Sequence, residues 1–109
     1  MQSSTSYVER LSFSQMLIKG ITIGLEGALG VQAAGSIAFF IDPKIAVKDP
    51  KKYWSSLDKM FKHNSSELQK KIIASISATF GLNRDFVDFD ACVAAAKEKF
   101  LKDDLIDVR

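Results

Sequence analysis

The residues of this chain that could do chemistry are few and isolated. There is one histidine, His63, and one cysteine, Cys92, and neither has a second ligand at a spacing typical of a transition-metal site. His63 falls at a predicted turn, where we expect a solvated imidazole, and Cys92 falls on an apolar stripe, where we expect a small core residue rather than a nucleophile. The sequence therefore predicts no catalytic residue, no metal, no cofactor and no enzymatic activity.

One carboxylate has unusual neighbours. Glu26 lies inside the run from Gly20 to Ile41, which is almost wholly apolar and holds all but one of the glycines of the chain. Helical periodicity places Glu26 about 200° from Gly24 and away from the apolar stripe, which favours an exposed side chain. The alternative is a buried carboxylate with a raised pKa, partnered by Gln32 or a lysine, at the edge of a ligand pocket.

The same glycine-rich run fits neither a phosphate-binding loop nor a membrane span. A phosphate loop follows a strand and places Lys and Ser/Thr at a helix start, whereas these glycines fall within helical periodicity and favour close helix packing. A carboxylate near the middle of a span would cost roughly 2.5–3.5 kcal/mol, and no basic cluster flanks the run. The N-terminus also lacks the pattern of a signal peptide. We expect a soluble, cytoplasmic protein, and the single cysteine fits a reducing compartment.

A basic segment is the remaining candidate for direct recognition. Residues 42–71 hold eight lysines against four acids, although the whole chain has a net charge of only +2. These lysines lie on and around a predicted helix, turn and helix, as in a nucleic-acid-binding module, but the segment has no arginine. The candidate nucleic-acid contacts are Lys51, Lys52, Lys59, Lys62, Lys70 and Lys71.

Five helices must position these residues, because apolar side chains recur every three or four positions along the chain. No stretch alternates between apolar and polar residues as a half-buried strand does. The chain is predicted to be an all-α, compact bundle of about five helices with orthogonal or irregular packing. A loop from Asp42-Pro43 to Lys48 is expected after the second helix. The predicted helices run from a Ser12/Gln15 capping box to Leu29, from Val31 to Ile41, from Asp49-Pro50, from an Asn64/Glu67 capping box to Gly81, and from an Asp88 cap.

The domain boundaries follow from these helices. Residues 1–11 are predicted to be a flexible lead-in, residues 12–102 a single helical domain, and residues 103–109 a tail. The predicted core residues are Leu17, Ile21, Gly24, Ile37, Trp54, Leu57, Phe61, Ile72, Ile76 and Phe80.

The second helix is apolar on nearly every side, so it is predicted to be central, wrapped by neighbouring helices or by a partner chain. An uncovered remainder would form an interface patch. We therefore hypothesise a two-fold homodimer with Phe39 or Phe40 near the contact, against the alternative of a monomer that encloses this helix.

Several of these segments resemble a known family. A helix ending in GLEGALG, a short helix ending in AFFID and the segment DPKKYWSSLDKMFKHNSSELQKKIIASISATFGL are similar to the small archaeal output-domain family first named from ammonia-oxidising archaea. The resemblance covers about residues 13–82 and departs at Lys62-His63, where a small residue or glycine is commoner. It implies a regulatory, signalling-output module without catalytic residues.

Three functions therefore remain open from the sequence. The first is a non-enzymatic helical interaction or regulatory module acting through protein contacts, with itself or another protein. The second is a helix-turn-helix-like nucleic-acid binder that uses the lysines of residues 44–71. The third is a small-ligand sensor with a pocket between the first two helices and Glu26 at its edge.

Overall fold

The computed structural model describes residues 12–108, with side chains described through Asp103, and this part of the chain is all-α and has no strand. The predicted fold class is confirmed, while the predicted lead-in of residues 1–11 lies outside the described residues. The elements are α1 (Phe13–Leu29), α2 (Val31–Phe40), α3 (Ile45–Lys48), α4 (Pro50–Phe61), a 3-10 turn (Lys62–Asn64), α5 (Ser65–Phe80) and α6 (Phe89–Val108).

Two segments are more helical than expected. The predicted loop after α2 contains the single turn α3, and α6 does not stop at residue 102 but continues to Val108, into the segment that the sequence assigned to a tail.

Most helix starts match their predicted caps. Ser12 and Gln15 form the reciprocal capping box, because Gln15 N donates to Ser12 Oγ at 3.1 Å and Ser12 N donates to Gln15 Oε1 at 2.9 Å. Asp49 Oδ1 accepts from the Lys52 backbone N–H at 3.1 Å. Asp88 Oδ1 accepts from the backbone N–H three residues later at 3.0 Å. Local side-chain chemistry thus determines where α1, α4 and α6 begin.

The start of α5 differs from its prediction. The capping box of Asn64 with Glu67 is wrong, because Asn64 has helical backbone angles (φ −93°, ψ −3°) and its side chain makes no capping hydrogen bond. The 3-10 turn runs directly into the helix, so Asn64 is not at an extended N-cap position. Ser65 instead donates its hydroxyl to Asp58 Oδ1 and ties α5 to α4. The helix ends at a left-handed Gly81, as predicted.

The centre of the molecule is the contact between α1 and α5, where two glycines let the backbones approach closely. A Cβ atom on Gly24 would lie 2.8 Å from Ile72 Cα, and one on Gly20 would lie 3.3 Å from Ile76 Cα. Ser75 Oγ also donates to the carbonyl oxygen of Gly20 at 2.6 Å. Close packing by glycine is therefore confirmed at these two positions.

Gly27, within α1, and Gly30, directly after it, have different roles. A Cβ atom on Gly27 would meet nothing within 4 Å, so no neighbouring helix requires this glycine. Gly30 has φ 92° and its N–H donates to Glu26 O at 2.8 Å, which ends α1 where the sequence predicted and lets α2 start at once.

Most of the predicted core is buried. The buried members are Leu17, Ile21, Gly24, Leu57, Ile72, Ile76 and Phe80, whereas Ile37, Trp54 and Phe61 are partly buried and pack at its edge. Further fully buried side chains come from several helices and include Leu25, Tyr53, Phe89 and Cys92. Tyr53 and Trp54 both contact the ring of Phe89, with centroids 5.6 Å and 6.0 Å away, so α6 is part of the core and not an appendage.

The prediction that the second helix is central is wrong. Among the described elements α2 packs only on α1, and Ala34 is its one buried residue. The sequence predicts that neighbouring helices enclose the apolar side chains of α2. Most of the surface of α2 is instead exposed to solvent, because α4, α5 and α6 do not pack against it. Burial of this helix by a partner chain remains a prediction.

Candidate interaction surface

The most unusual surface of the described protein is the outer face of α2. Seven positions of α2 are exposed, and we call six of them the α2 surface: Val31, Gln32, Gly35, Ser36, Phe39 and Phe40. The seventh, Ala33, lies at the edge of this face. At about 100° per residue these positions cover roughly half of the helix circumference. The opposite side carries Ala34 and Ile37, which face α1 and the core. The helix is therefore anchored on one side and uncovered on the other.

Large aromatic side chains dominate this surface. Phe39 is 83% exposed, Phe40 is 75% exposed and Val31 is 70% exposed. The two phenylalanine rings pack edge to face, with centroids 5.5 Å apart and planes at 83°. Both candidate interface residues from the sequence are thus placed side by side on the surface, where neither contributes to the core.

The α2 surface carries no charge. No charged residue lies between Glu26 and Asp42 in the chain, so the whole helix and its connection to α1 are neutral. Adjacent exposed apolar side chains without charged residues among them are the composition of an interface centre rather than of an ordinary solvated face.

A second surface is formed by lysines of α4 and of the turn that follows it. Lys51, Lys52 and Lys59 are exposed and, by helical periodicity, share the side of α4 opposite the buried Tyr53 and Leu57. Lys62, in the 3-10 turn directly after α4, is also exposed, and we call these four residues the α4 lysine face. Their exposure makes these side chains available to an anionic partner. The sequence predicted the lysine content of this face, and the structure places three of its lysines on one side of α4.

The two remaining candidate lysines lie on α5. Lys70 and Lys71 are exposed, and Lys70 Nζ lies 3.6 Å from Glu67 Oε2, an exposed ion pair that neutralises part of the local charge. The helix order of a helix-turn-helix unit is present in α4, the 3-10 turn and α5. However, α5 buries two of its sides, against α1 and α6, and leaves only a strip for outside contacts.

The turn between α4 and α5 is held in an uncommon backbone conformation. Lys62 has φ 51° and ψ −115°, and it is the one residue other than glycine with positive φ in the described range. This region of backbone space favours glycine, because a Cβ atom crowds the adjacent peptide group. The segment that departs from the family resemblance is therefore the strained turn of this fold.

The isolated chemical groups occupy unremarkable positions. His63 is exposed in the 3-10 turn, and Glu26 is half-buried, between its two predicted alternatives. Cys92 is buried, with its Sγ 3.9 Å from both Ser77 Oγ and the Ile73 carbonyl oxygen, and burial raises the pKa of its thiol. Among residues 12–103, whose side chains are described, no cluster of three or more His, Cys, Asp or Glu residues could hold a metal ion. No helix in that range is long and apolar enough to cross a membrane.

Sequence reasoning did not anticipate one cleft. A cavity of about 660 Å³ lies between α5 and residues 82–87, away from the α1–α2 position proposed for a ligand pocket. Gln69 Oε1 accepts from Phe89 N at 2.8 Å at its side, and Arg84 stacks on Phe86 at 4.9 Å from the ring centroid. The cleft depends on the path of an irregular loop, for which the sequence offered no periodic signal.

Comparison with models of known families, with curated proteins and with solved structures finds no match to this chain. The resemblance to the archaeal output-domain family therefore stays a prediction.

Proposed function

We propose that this chain is a non-enzymatic helical interaction module, of regulatory or signalling-output type, that acts through protein contacts at the α2 surface. The observation that carries the proposal is the pair of adjacent phenylalanines, Phe39 and Phe40, exposed on a helix without charge. Aromatic residues are the commonest energetic anchors of protein interfaces.

The free energy of burial favours a partner on the α2 surface over permanent exposure of its two phenylalanine rings to water. Burying a fully exposed phenylalanine contributes about 1.5–3 kcal/mol, so leaving two of them in water forgoes a large favourable term. Both are unneeded for the core, because α2 is anchored by Ala34 and Ile37 on its other side. A partner that covers the two rings would gain that burial without any rearrangement of the fold.

The test is site-specific photo-crosslinking from the α2 surface. A benzophenone-bearing phenylalanine replaces Phe40, and the control carries the same group at Val87, which is 93% exposed in the loop before α6. We expect a discrete protein adduct from position 40 in extract of the source cells and none from position 87. Equal yields from the two positions, or no adduct from position 40, would contradict the proposal.

A second candidate function, nucleic-acid binding, is favoured by the α4 lysine face. Three exposed lysines on one side of α4, together with the exposed Lys62 in the turn after it, supply the charge that phosphate contacts need. Loss of each contact should reduce the slope of log affinity against log salt by roughly 0.9.

Heparin retention and a DNA salt series test this candidate. Lys52→Gln with Lys59→Gln should weaken binding, whereas Lys97→Gln with Lys102→Gln, which removes equal charge from exposed positions of α6, should not. Absence of DNA binding by the unmodified protein at low salt would end the hypothesis.

A further inference from the structure

The α2 surface has larger side chains at both ends and small ones in the middle, so it can pair with a second α2 surface that runs in the opposite direction. Val31 and Gln32 stand at its N-terminal end, Gly35 and Ser36 in the middle, and Phe39 and Phe40 at its C-terminal end. The middle is therefore a shallow depression between two raised ends. A Cβ atom added to Gly35 would meet nothing within 4 Å, so this depression faces open space.

Two such helices fit together when they run antiparallel about a two-fold axis at the depression. In that register Phe40 of one copy lies against Val31 of the other, Phe39 lies against Gln32, and Gly35 lies against Ser36. The small residues allow the helix axes to approach to the roughly 8–10 Å typical of packed helices, while the large side chains at each end fill the space beside the crossing.

We propose that the occupant of the α2 surface is a second copy of this chain, bound through this antiparallel α2–α2 contact. The inference rests on the proposed function and specifies its partner. A two-fold contact presents each surface to itself, so a neutral surface meets no repulsion, whereas a charged patch would meet its own charge. The absence of any charged residue between Glu26 and Asp42 satisfies that condition.

The available area agrees with a reversible dimer. A phenylalanine side chain presents roughly 150–250 Å², so the exposed fractions of Phe39 and Phe40 amount to roughly 240–400 Å² per copy. Doubling by symmetry gives roughly 500–800 Å², and the four other positions bring the total near the roughly 1,000 Å² that a specific interface requires. The interface is at the small end, so the dimer should dissociate on dilution.

The first experiment measures mass by light scattering over a hundredfold dilution. We expect a mass approaching twice 12.1 kDa at the highest concentration and 12.1 kDa on dilution. Phe39→Ser should abolish the dimer with unchanged helicity, since the side chain is outside the core, and Val87→Ser should leave it intact. A mass of 12.1 kDa throughout, or a dimer insensitive to Phe39→Ser, would overturn the inference.

The second experiment tests the register by cysteine crosslinking. Ser36→Cys should give a disulfide-linked dimer on mild oxidation, because position 36 lies beside its own symmetry mate. Val31→Cys should not, since the two copies of position 31 are roughly 13 Å apart along the axis. Ser55→Cys, exposed on α4, is the control for random collision, and the native Cys92 is buried. Equal crosslinking at positions 31 and 36, or none at 36 above the control, would overturn the arrangement.

These results also separate the inference from the proposed function. An adduct from position 40 with another protein, and none between two copies, would keep the interaction function and overturn the homodimer. No adduct from position 40 would end both.

Discussion

Replacing Gly24 by alanine should destabilise the protein, although alanine is the better helix former. The added Cβ would lie 2.8 Å from Ile72 Cα, 3.2 Å from Ser75 Cβ and 3.3 Å from the Lys71 carbonyl oxygen. The nearest atom belongs to the backbone of α5, so relief requires the two central helices to separate and not merely a side chain to rotate. Overpacking of this kind costs about 1–3 kcal/mol.

Gly27→Ala is the matched control in the same helix. A Cβ atom at that position meets nothing within 4 Å, so only the gain in helix propensity of about 0.8–1.0 kcal/mol remains. Because both variants share that gain, the difference in unfolding free energy between them isolates the steric cost of about 1–3 kcal/mol at position 24.

Thermal and urea unfolding followed by circular dichroism measure this difference. For a domain of this size each 1 kcal/mol moves the midpoint temperature by roughly 4–8 °C, so Gly24→Ala should melt well below Gly27→Ala. Equal midpoints for the two variants would refute the close approach of α1 and α5 at Gly24, and with it the central packing of the fold.

Three further changes test other parts of the structure by the same unfolding measurements. Ile76→Ala should cost about 2–5 kcal/mol because the side chain is fully buried between α1 and α5, and a loss below about 1 kcal/mol would contradict that burial. Tyr53→Phe should be neutral or stabilising by about 1 kcal/mol, since the buried hydroxyl has no hydrogen-bond partner among the described residues; a clear loss of stability would reveal a bond there. Burial and the nearby Asp42 raise the pKa of Tyr53 above its ordinary value of 10, so above pH 10 the unfolded chain releases a proton that the native state keeps. As pH rises above 10, the unfolding free energy should therefore fall more steeply in the unmodified protein than in Tyr53→Phe. The same dependence on pH in both proteins would contradict the raised pKa of Tyr53. Lys62→Gly should stabilise by about 1 kcal/mol, because relief of strain of order 1–3 kcal/mol exceeds the entropic cost of glycine, whereas Lys59→Gly inside α4 should lose about 1 kcal/mol. Similar losses of unfolding free energy in Lys62→Gly and Lys59→Gly would show that the turn is not strained.

Local chemistry alone determined the five longer helices and many of their ends, although not the single turn α3. The Ser12 and Gln15 capping box, the Asp49 cap and the stops at Gly30 and Gly81 involve residues within a few positions of each other, so a sequence pattern contains all the partners. The prediction failed at Asn64, where the preceding 3-10 turn set the backbone angles that a cap would have needed to change.

Only the tertiary structure decided which apolar surfaces are covered. Gly24 and Gly27 are the same residue in the same helix, yet one lies against Ile72 and the other against solvent, because the position of α5 determines which side of α1 is buried. Because α2 is apolar on nearly every side, its sequence did not indicate which side packs against the rest of the fold. The fold buries Ala34 and leaves Phe39 and Phe40 exposed, and this choice converts a predicted core helix into the candidate interaction surface. Burial depends on the relative placement of distant segments, which periodicity within one segment does not contain.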